Sequence, residues 1–213
     1  ITSFTMDGVA AAFPSEGYTV GILPVVPTFS DCLWTPGDAN GWSHDKSQQI
    51  RTYEEGKYQG FAYLSANGFK FTSAANWDGT NFGAGTEAGT LSEDPSAGNL
   101  AAPATGTYLA KVDLNEKTYT LTEIARVGVI GDATPTGWDS DTEMTTTNGI
   151  LYTMDITLAS GTIKFRMNAA WNINLGGDLD NLSFGGDNIP VAEAGDYHIE
   201  LNLSTNNAGI CSA

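Results

Sequence analysis

The chain has 213 residues, of which 41% are hydrophobic, and this composition excludes an intrinsically disordered protein. Its 25 acidic residues outnumber its 9 Lys and Arg, and the formal net charge of −16 disfavours nucleic acid and anionic lipid as partners. No segment reaches the about 18 consecutive apolar residues of a transmembrane helix, since Pro24 and Pro27 interrupt the longest apolar stretch.

Residues 1–29 stand apart because no other segment of the chain repeats them. They contain two aliphatic runs, at residues 20–23 and 25–26. They could be a lead-in strand that packs on the next segment of the chain or the tail of a preceding domain, and the sequence leaves both open. Because the chain begins without Met or a signal peptide, we expect a processed protein or an excised piece.

Residues 30–124 show the period-two alternation of β-strands. Large apolar residues alternate with small or polar ones at 58–64 and 108–114, and a turn at 115–117 leads to a further strand at 118–122. Clusters of Gly, Asn, Asp, Ser and Thr separate these segments, as turns require. The pattern predicts an all-β sandwich.

Residues 125–213 repeat this organisation. A Gly-Asp-Ala turn occurs at 37–39 and again at 131–133, and a Trp follows each. A strand with a central Lys occurs at 69–71 and again at 163–165, and a second Trp follows each. Landmarks in the same order at nearly constant spacing, too long for a solenoid repeat, indicate two tandem copies of one unit. We call residues 30–124 the first repeat and residues 125–213 the second repeat.

The two repeats follow each other closely. Their junction, near residues 124–126, has no Pro- or Gly-rich linker, which predicts close coupling between them. Cys32 lies in the first repeat and Cys211 near the end of the second. A disulfide would have to link the two repeats, and we expect free thiols instead. Two cysteines are too few for a disulfide framework or a structural zinc site.

Two tryptophans recur in each repeat: Trp42 and Trp77 in the first, Trp138 and Trp171 in the second. The first of each pair ends a turn rich in Gly and Asp, which is an unfavourable place for a core residue. A flat indole with little rotamer entropy to lose can stack on the C–H face of a sugar ring. Groups able to bond sugar hydroxyls lie nearby in sequence: Lys70, Lys164, Arg166, Asn168 and Asn172. The alternative is that the four Trp are ordinary core residues of a sandwich.

Catalytic signatures are sparse. The two histidines, His44 and His198, occupy non-equivalent positions, and no Ser/His/Asp or Cys/His arrangement recurs. A glycosidase needs two carboxyl groups facing one bond. The aspartates near the repeated turns could supply them, but two such small domains predict no deep cleft. The candidates are Asp38, Asp45, Asp132, Asp139 and Asp141.

Nucleotide and metal sites are not expected either. The Gly-Asp-Ala turn lacks the Lys-Ser/Thr of a phosphate-binding loop and precedes no helix. A calcium site built from Asp78, Asp178 or Asp180 competes with the simpler interpretation of solvated turn aspartates. We therefore expect no catalysis, no cofactor and no metal.

Five segments of the second repeat form a recognisable set: 130–139 (IGDATPTGWD), 163–166 (IKFR), 171–177 (WNINLGG), 186–189 (GDNI) and 194–197 (AGDY). Together they resemble the repeated carbohydrate-binding modules of the SusE/SusF family, outer-membrane lipoproteins of bacterial starch-uptake systems. The first repeat is a looser match, with Thr72 at the position of Arg166 and Asp78-Gly79-Thr80 in place of Asn-Ile-Asn. The resemblance covers about residues 32–205.

The resemblance implies an immunoglobulin-like β-sandwich in each repeat. It also implies display at the outer-membrane surface, with a lipid anchor upstream, and starch or maltooligosaccharide binding on a two-aromatic platform. Other outer-membrane glycan-uptake proteins would be partners. The implied ligand-binding residues are Trp138, Trp171, Lys164, Arg166 and Asn168 in the second repeat, and Trp42, Trp77 and Lys70 in the first.

We therefore expect a non-catalytic cell-surface protein that binds a neutral polysaccharide, with α-glucan favoured. The competing hypothesis is a structural spacer or protein-docking pair of sandwiches without a glycan site. The two hypotheses differ on the four Trp, because the second predicts that they are buried.

Overall fold

The computed structural model describes residues 3–6, 9–12 and 29–204, and this part of the chain consists of antiparallel strands and their connections. Helical structure in it is confined to two 3₁₀ turns, Asp38–Asn40 and His44–Lys46. The prediction of an all-β sandwich fold is therefore confirmed. No helix in the described residues is long and apolar enough to cross a membrane.

The segment before the repeats contains a hairpin. Strands β1 (Ser3–Met6) and β2 (Val9–Ala12) pair with each other in a separate two-stranded sheet. The two aliphatic runs at residues 20–23 and 25–26 lie outside the described residues.

The first repeat forms one eight-stranded sheet that closes on itself. The strands are β3 (Cys32–Trp34), β4 (Gln49–Glu54), β5 (Lys57–Leu64), β6 (Phe71–Thr72), β7 (Asn81–Ala84), β8 (Leu91–Ser92), β9 (Gly106–Asp113) and β10 (Thr118–Glu123). Their order in the sheet is β10-β9-β5-β4-β3-β6-β7-β8. The two ends meet because Leu91 N donates to Lys117 O at 2.8 Å and Tyr119 N donates to Gly89 O at 2.8 Å.

Alternation along each strand sorts the side chains of the first repeat. On β5, Tyr58, Ala62 and Leu64 point into the first core, whereas Phe61 points outward to the second repeat. The first core is completed by apolar side chains from the other strands and their connections: Leu33, Ile50, Phe69, Phe71, Phe82, Leu91, Leu100, Ala102, Tyr108, Ala110, Val112 and Leu114. One repeat thus has both an enclosed core and an apolar outer face.

The second repeat forms two sheets. Its strands are β11 (Val127–Ile130), β12 (Thr142–Glu143), β13 (Thr145–Thr146), β14 (Leu151–Leu158), β15 (Gly161–Met167), β16 (Asn174–Asp178), β17 (Asn181–Phe184), β18 (Ile189–Val191) and β19 (Gly195–Asn202). One sheet has the order β12-β11-β15-β16-β17, with β18 also paired to β15, and the other has the order β13-β14-β19. The pairing of β14 with β19 matches that of β5 with β9, and β11-β15-β16 matches β3-β6-β7.

The glycine of each Gly-Asp-Ala turn permits a close approach between backbones. A Cβ at Gly37 would lie 2.6 Å from Cβ of Phe69, and a Cβ at Gly131 would collide with the carbonyl group of Thr162. Only glycine fits at such a distance. This contact explains why the glycine recurs at the same place in both repeats.

The aspartate of each turn anchors the turn to a neighbouring segment. Asp38 Oδ2 accepts hydrogen bonds from Ser65 Oγ at 3.0 Å and Asn67 Nδ2 at 2.9 Å. Asp132 Oδ1 accepts bonds from the Thr162 hydroxyl at 2.6 Å and the Thr162 N–H at 2.8 Å. These bonds lower the pKa of both carboxyl groups. The repeated Gly-Asp pair therefore holds the turn that leads to the first Trp of each repeat.

The second core extends across the junction. Phe61, Leu109 and Ile124 of the first repeat belong to the same apolar cluster as the core of the second repeat. The rings of Phe61 and Phe184 lie 5.4 Å apart, and the Thr107 hydroxyl donates to the carbonyl of Gly149. The two repeats are therefore in direct apolar contact, while their division at residues 124 and 125 stays a prediction.

The expectation of free thiols is wrong for Cys32, which is disulfide-bonded and 1% exposed. The sequence contains one other cysteine, Cys211, which lies outside the described residues.

Asp132→Ala is expected to lower the melting temperature at neutral pH, because the turn loses its bonds to Thr162. The pKa of Asp132 lies below its ordinary value of 3.8, so the stabilisation is present above about pH 3.8 and is lost as the pH falls through the folded-state pKa. Thermal unfolding at a series of pH values should show the parent and the variant converging in acid. Asp139→Ala, in the same turn, is the control. A difference in melting temperature between the parent and Asp132→Ala that stays constant at every pH would contradict this role.

Candidate functional site

The two recurring tryptophans of the first repeat lie side by side. Trp42 follows the turn capped by Gly41 and has a left-handed φ of 62°, and Trp77 lies in the connection between β6 and β7. Their ring centroids are 6.3 Å apart and their planes differ by 39°. Trp77 is 45% exposed and Trp42 is half-buried. We call this pair the first platform.

The second repeat carries the same arrangement. Trp138 and Trp171 have ring centroids 6.1 Å apart with planes that differ by 36°. They are 39% and 47% exposed. We call this pair the second platform. The structure thus brings together each pair of tryptophans named from the sequence and places none of the four in a hydrophobic core.

Contact between the rings fixes their orientation while leaving apolar surface exposed. Aromatic pairs favour offset or tilted arrangements at centroid distances of about 4.5–7 Å, which includes both platforms. Large exposed aromatic residues grouped in this way are a feature of binding surfaces. Each platform therefore presents two flat apolar faces set at an angle.

Arg166 contacts the second platform from within the protein. Its Cζ lies 5.0 Å from the Trp171 ring centroid, a cation–π distance. Its guanidinium forms an ion pair with Asp141, and both side chains are buried. Asp141 Oδ2 also lies 3.4 Å from Arg126 Nη2. Arg166 is therefore held between a carboxylate and an indole.

The sequence did not reveal the role of Asp141, which we considered only as one of several turn carboxylates. The sequence feature connected with Asp141 is the glycine at position 128, on the neighbouring strand. An added Cβ at Gly128 would lie 2.8 Å from Cβ of Asp141. A glycine at that position leaves room for the buried carboxylate.

The first platform has a histidine at its edge and lacks a matching arginine. The His44 ring packs edge-on against Trp77, with centroids 4.7 Å apart and planes at 79°. Burial lowers the pKa of His44, which favours the neutral ring. Thr72, at the position of Arg166, is buried and donates to Ala74 O at 3.0 Å. The two platforms therefore differ in their polar neighbours.

An asparagine on the strand after each platform holds its second Trp in place. Asn81 Nδ2 donates to Trp77 O at 2.9 Å, and Asn174 Nδ2 donates to Trp171 O at 2.9 Å. In both residues Oδ1 is buried and accepts no hydrogen bond. The sequence analysis missed this pair, although their matching positions on β7 and β16 were a signal.

The lysines named from the sequence occupy matching positions. Phe69 and Phe71 point into the first core, and Ile163 and Phe165 into the second, so the lysine between each pair points to the other face. Lys70 Nζ donates to Ala97 O at 2.9 Å, and burial lowers its pKa. Lys164 is half-buried, with Cε beside Gly176.

Asn168, which the resemblance names as a ligand-binding residue, forms hydrogen bonds to the backbone. Its Oδ1 accepts hydrogen bonds from Ala125 N at 2.8 Å and Arg126 N at 3.4 Å, and its Nδ2 donates to Glu123 O at 2.7 Å. The amide group thus binds the backbone of the junction between the repeats. Its contacts are those of a structural residue and give no support to a ligand-binding role.

Metal ligands are not grouped in the part of the chain that the structure describes, where no three His, Cys, Asp or Glu side chains could hold an ion together. The exposed pair His198 Nδ1 and Asp155 Oδ1, 2.6 Å apart, bridges β14 and β19.

Comparison with known proteins finds a family model that is similar to part of the chain. Residues 31–123 match a family model described as a domain of unknown function, DUF8037. The matched residues lie within the first repeat. No curated protein matches the chain significantly.

Asp141→Ala is expected to lower the free energy of unfolding by about 3–5 kcal/mol, because Arg166 would keep a buried charge without its partner. Glu143→Gln is the control: this exposed carboxylate lies 3.4 Å from Arg126, and its loss should cost less than about 1 kcal/mol. Urea denaturation of both variants measures the difference. Equal losses of unfolding free energy in the two variants would show that the buried ion pair stabilises the protein no more than the exposed one.

Proposed function

We propose that this protein binds a neutral polysaccharide without cleaving it, using the two tryptophan platforms, and that an α-glucan such as starch or a maltooligosaccharide is the favoured ligand. The observation that carries the proposal is the repeated pair of solvent-accessible indoles, about 6 Å apart, in two equivalent places of a duplicated fold. The competing spacer or docking hypothesis requires these residues to be buried, and three of the four are among the exposed large apolar residues.

The physical basis is stacking. The C–H face of a pyranose ring is apolar and flat enough to cover an indole, and burying it removes apolar surface from water. Two rings at 39° or 36° to each other suit consecutive sugars of a bent chain better than those of a straight ribbon. This angle supports an α-linked glucan over a β-1,4-linked chain.

Polar groups beside the rings would bond the sugar hydroxyls. At the second platform the guanidinium of Arg166 lies against Trp171, and at the first the His44 ring packs against Trp77. For Lys164 and Lys70 the support is the resemblance and their matching positions in the two repeats. The net charge of −16 disfavours an anionic polysaccharide and is compatible with a neutral one.

We place the protein at the outer-membrane surface, anchored by a lipid upstream of this chain, beside other glycan-uptake proteins. The support is the resemblance of the second repeat to surface glycan-binding modules. The disulfide at Cys32 is also consistent with an oxidising compartment outside the cytoplasm.

Trp171→Ala or Trp138→Ala is expected to weaken binding of a soluble maltooligosaccharide about tenfold or more, the equivalent of about 1.4 kcal/mol. Trp77→Ala or Trp42→Ala should have a smaller effect, because the first platform lacks the arginine. Calorimetry on the four single variants measures this ranking. Tyr53→Ala is the matched control, since Tyr53 is 54% exposed and belongs to neither platform. If all four Trp variants bind like the parent, the platforms are not the site.

Affinity electrophoresis identifies the glycan. Migration of the parent should be retarded in gels containing amylopectin and unaffected by xylan, with dextran and levan as further α-glucan and fructan comparisons. Retardation by xylan alone would contradict the preference for a bent chain.

No turnover is expected, because no catalytic arrangement of side chains recurs in the two repeats of the sequence. Incubation of the purified protein with α-glucan should release no new reducing ends. Oligosaccharide release that a single Asp→Asn change abolishes would replace the binding proposal with an enzymatic one.

A further inference from the structure

The two repeats differ at the place where the sheet of the first repeat closes. There β10 pairs with β9 and also bonds the segment beside β8, through Tyr119 N and Gly89 O. Tyr119 and Leu121 of β10 pack on the first core. In the part of the second repeat that the structure describes, β19 matches β9, β17 matches β8, and no strand lies between them. We call the space between β17 and β19 the gap.

A cavity of about 330 Å³ occupies the gap. Leu182 of β17 lines it on one side and Ile199 of β19 on the other. Phe165 and Ile189, which are buried in the second core, line it as well. The gap is therefore an apolar groove that reaches the core between two edge strands.

Matching residues of β9 and β19 differ in their exposure. Tyr108 and Tyr197 occupy the same place, since each hydroxyl donates to the backbone carbonyl four residues earlier. Tyr108 is 2% exposed and Tyr197 is 36% exposed. Ala110 is fully buried, whereas Ile199, at the matching position, is half-buried. The core-facing side chains of β19 thus lie open where those of β9 are covered.

The backbone of β19 also faces the gap. Leu203 N donates to Ile150 O, on the side of β14, and the direction of the backbone groups alternates along an antiparallel strand. The N–H and C=O groups of Asp196, His198 and Glu200 therefore point away from β14. An edge of this kind is a template for an added strand.

The face of β19 that points away from the core is acidic. Asp196 and Glu200 are exposed on it, and Asp155 of β14 lies beside them, 2.6 Å from His198. Neither β14 nor β19 contains a Lys or Arg. Opposite charges on neighbouring strands stabilise their pairing, so a strand added here is favoured when its outward side chains are basic.

We propose that the gap is a docking site for an extended segment of a partner protein, which adds to β19 as an antiparallel strand with apolar residues at alternate positions and Lys or Arg between them. The template is β10, where Leu121 lies opposite Ala110. By the same register, an apolar side chain of the partner enters the cavity opposite Ile199, and a basic one lies beside Glu200. The inference does not depend on the platforms and holds whether or not they bind glycan.

Peptide binding tests the chemistry of the partner. The probe is the peptide KYKLKVK, which follows the alternation of β10 with Lys in place of Thr. The controls are EYELEVE, of opposite charge, and KKYLVKK, which has the same composition without the alternation. Fluorescence anisotropy should show that the probe binds about tenfold or more tightly than either control. Equal binding of the three peptides, or binding of none, would overturn the proposal.

Charge reversal locates the site. Glu200→Lys should weaken binding of KYKLKVK about tenfold and strengthen binding of EYELEVE. Glu116→Lys, in an exposed turn of the first repeat, makes the same change of charge and is the matched control. An equal effect of the two substitutions would show general attraction to an acidic protein and would contradict a site at β19.

Hydrogen exchange tests whether the edge is open. In the protein alone, amides of residues 196, 198 and 200 should exchange faster than those of 197, 199 and 201, and bound KYKLKVK should slow the first set. Slow exchange of the first set without peptide would mean that another segment of the chain, or a second copy, already covers β19. That result would overturn the proposal.

Discussion

The outer face of β5 and β9 is the constraint on which the two-repeat structure depends. Phe61 and Leu109 point away from the first core and into the second, so one sheet serves two apolar clusters. Burial of such side chains contributes about 1.5–3 kcal/mol each, an upper estimate because the unfolded chain is partly compact. Gly149 allows this contact, since an added Cβ there would lie 2.7 Å from the Thr107 hydroxyl oxygen. The second repeat is thus packed against the first, and the platforms are carried on one continuous body.

The platforms depend on backbone anchors that both repeats share. A glycine and an aspartate fasten the turn that leads to the first Trp, and an asparagine side chain fastens the connection that carries the second. Rings positioned by hydrogen-bonded loops lose little freedom when a ligand arrives, which favours binding. The unbonded Oδ1 atoms of Asn81 and Asn174 are the shared exception, because buried polar atoms are normally paired.

Duplication preserved the tryptophans and changed their surroundings. The second platform lies over a buried Arg166–Asp141 pair, whereas the first has a histidine at its edge and a buried threonine where the arginine would be. A buried ion pair is costly to assemble. In the second repeat it holds the planar guanidinium of Arg166 against Trp171, whereas in the first repeat Trp77 has the His44 ring as its neighbour.

The sequence alone determined the features that depend on periodicity and recurrence. Alternating residues in β5 and β9 predicted strands, recurring landmarks predicted two repeats, and the placement of Trp42 and Trp138 after Gly-rich turns predicted that they lie outside the cores. Only the tertiary structure decided which polar groups meet. Asp141 and Arg166 are 25 residues apart, and Asn168 binds the backbone of Ala125 43 residues away. Side chains so distant in sequence leave no periodic signal, because strand pairing and the packing of the repeats bring them together. The bond of Cys32 was not expected for the same reason, since the sequence shows two distant cysteines but not whether either forms a bond.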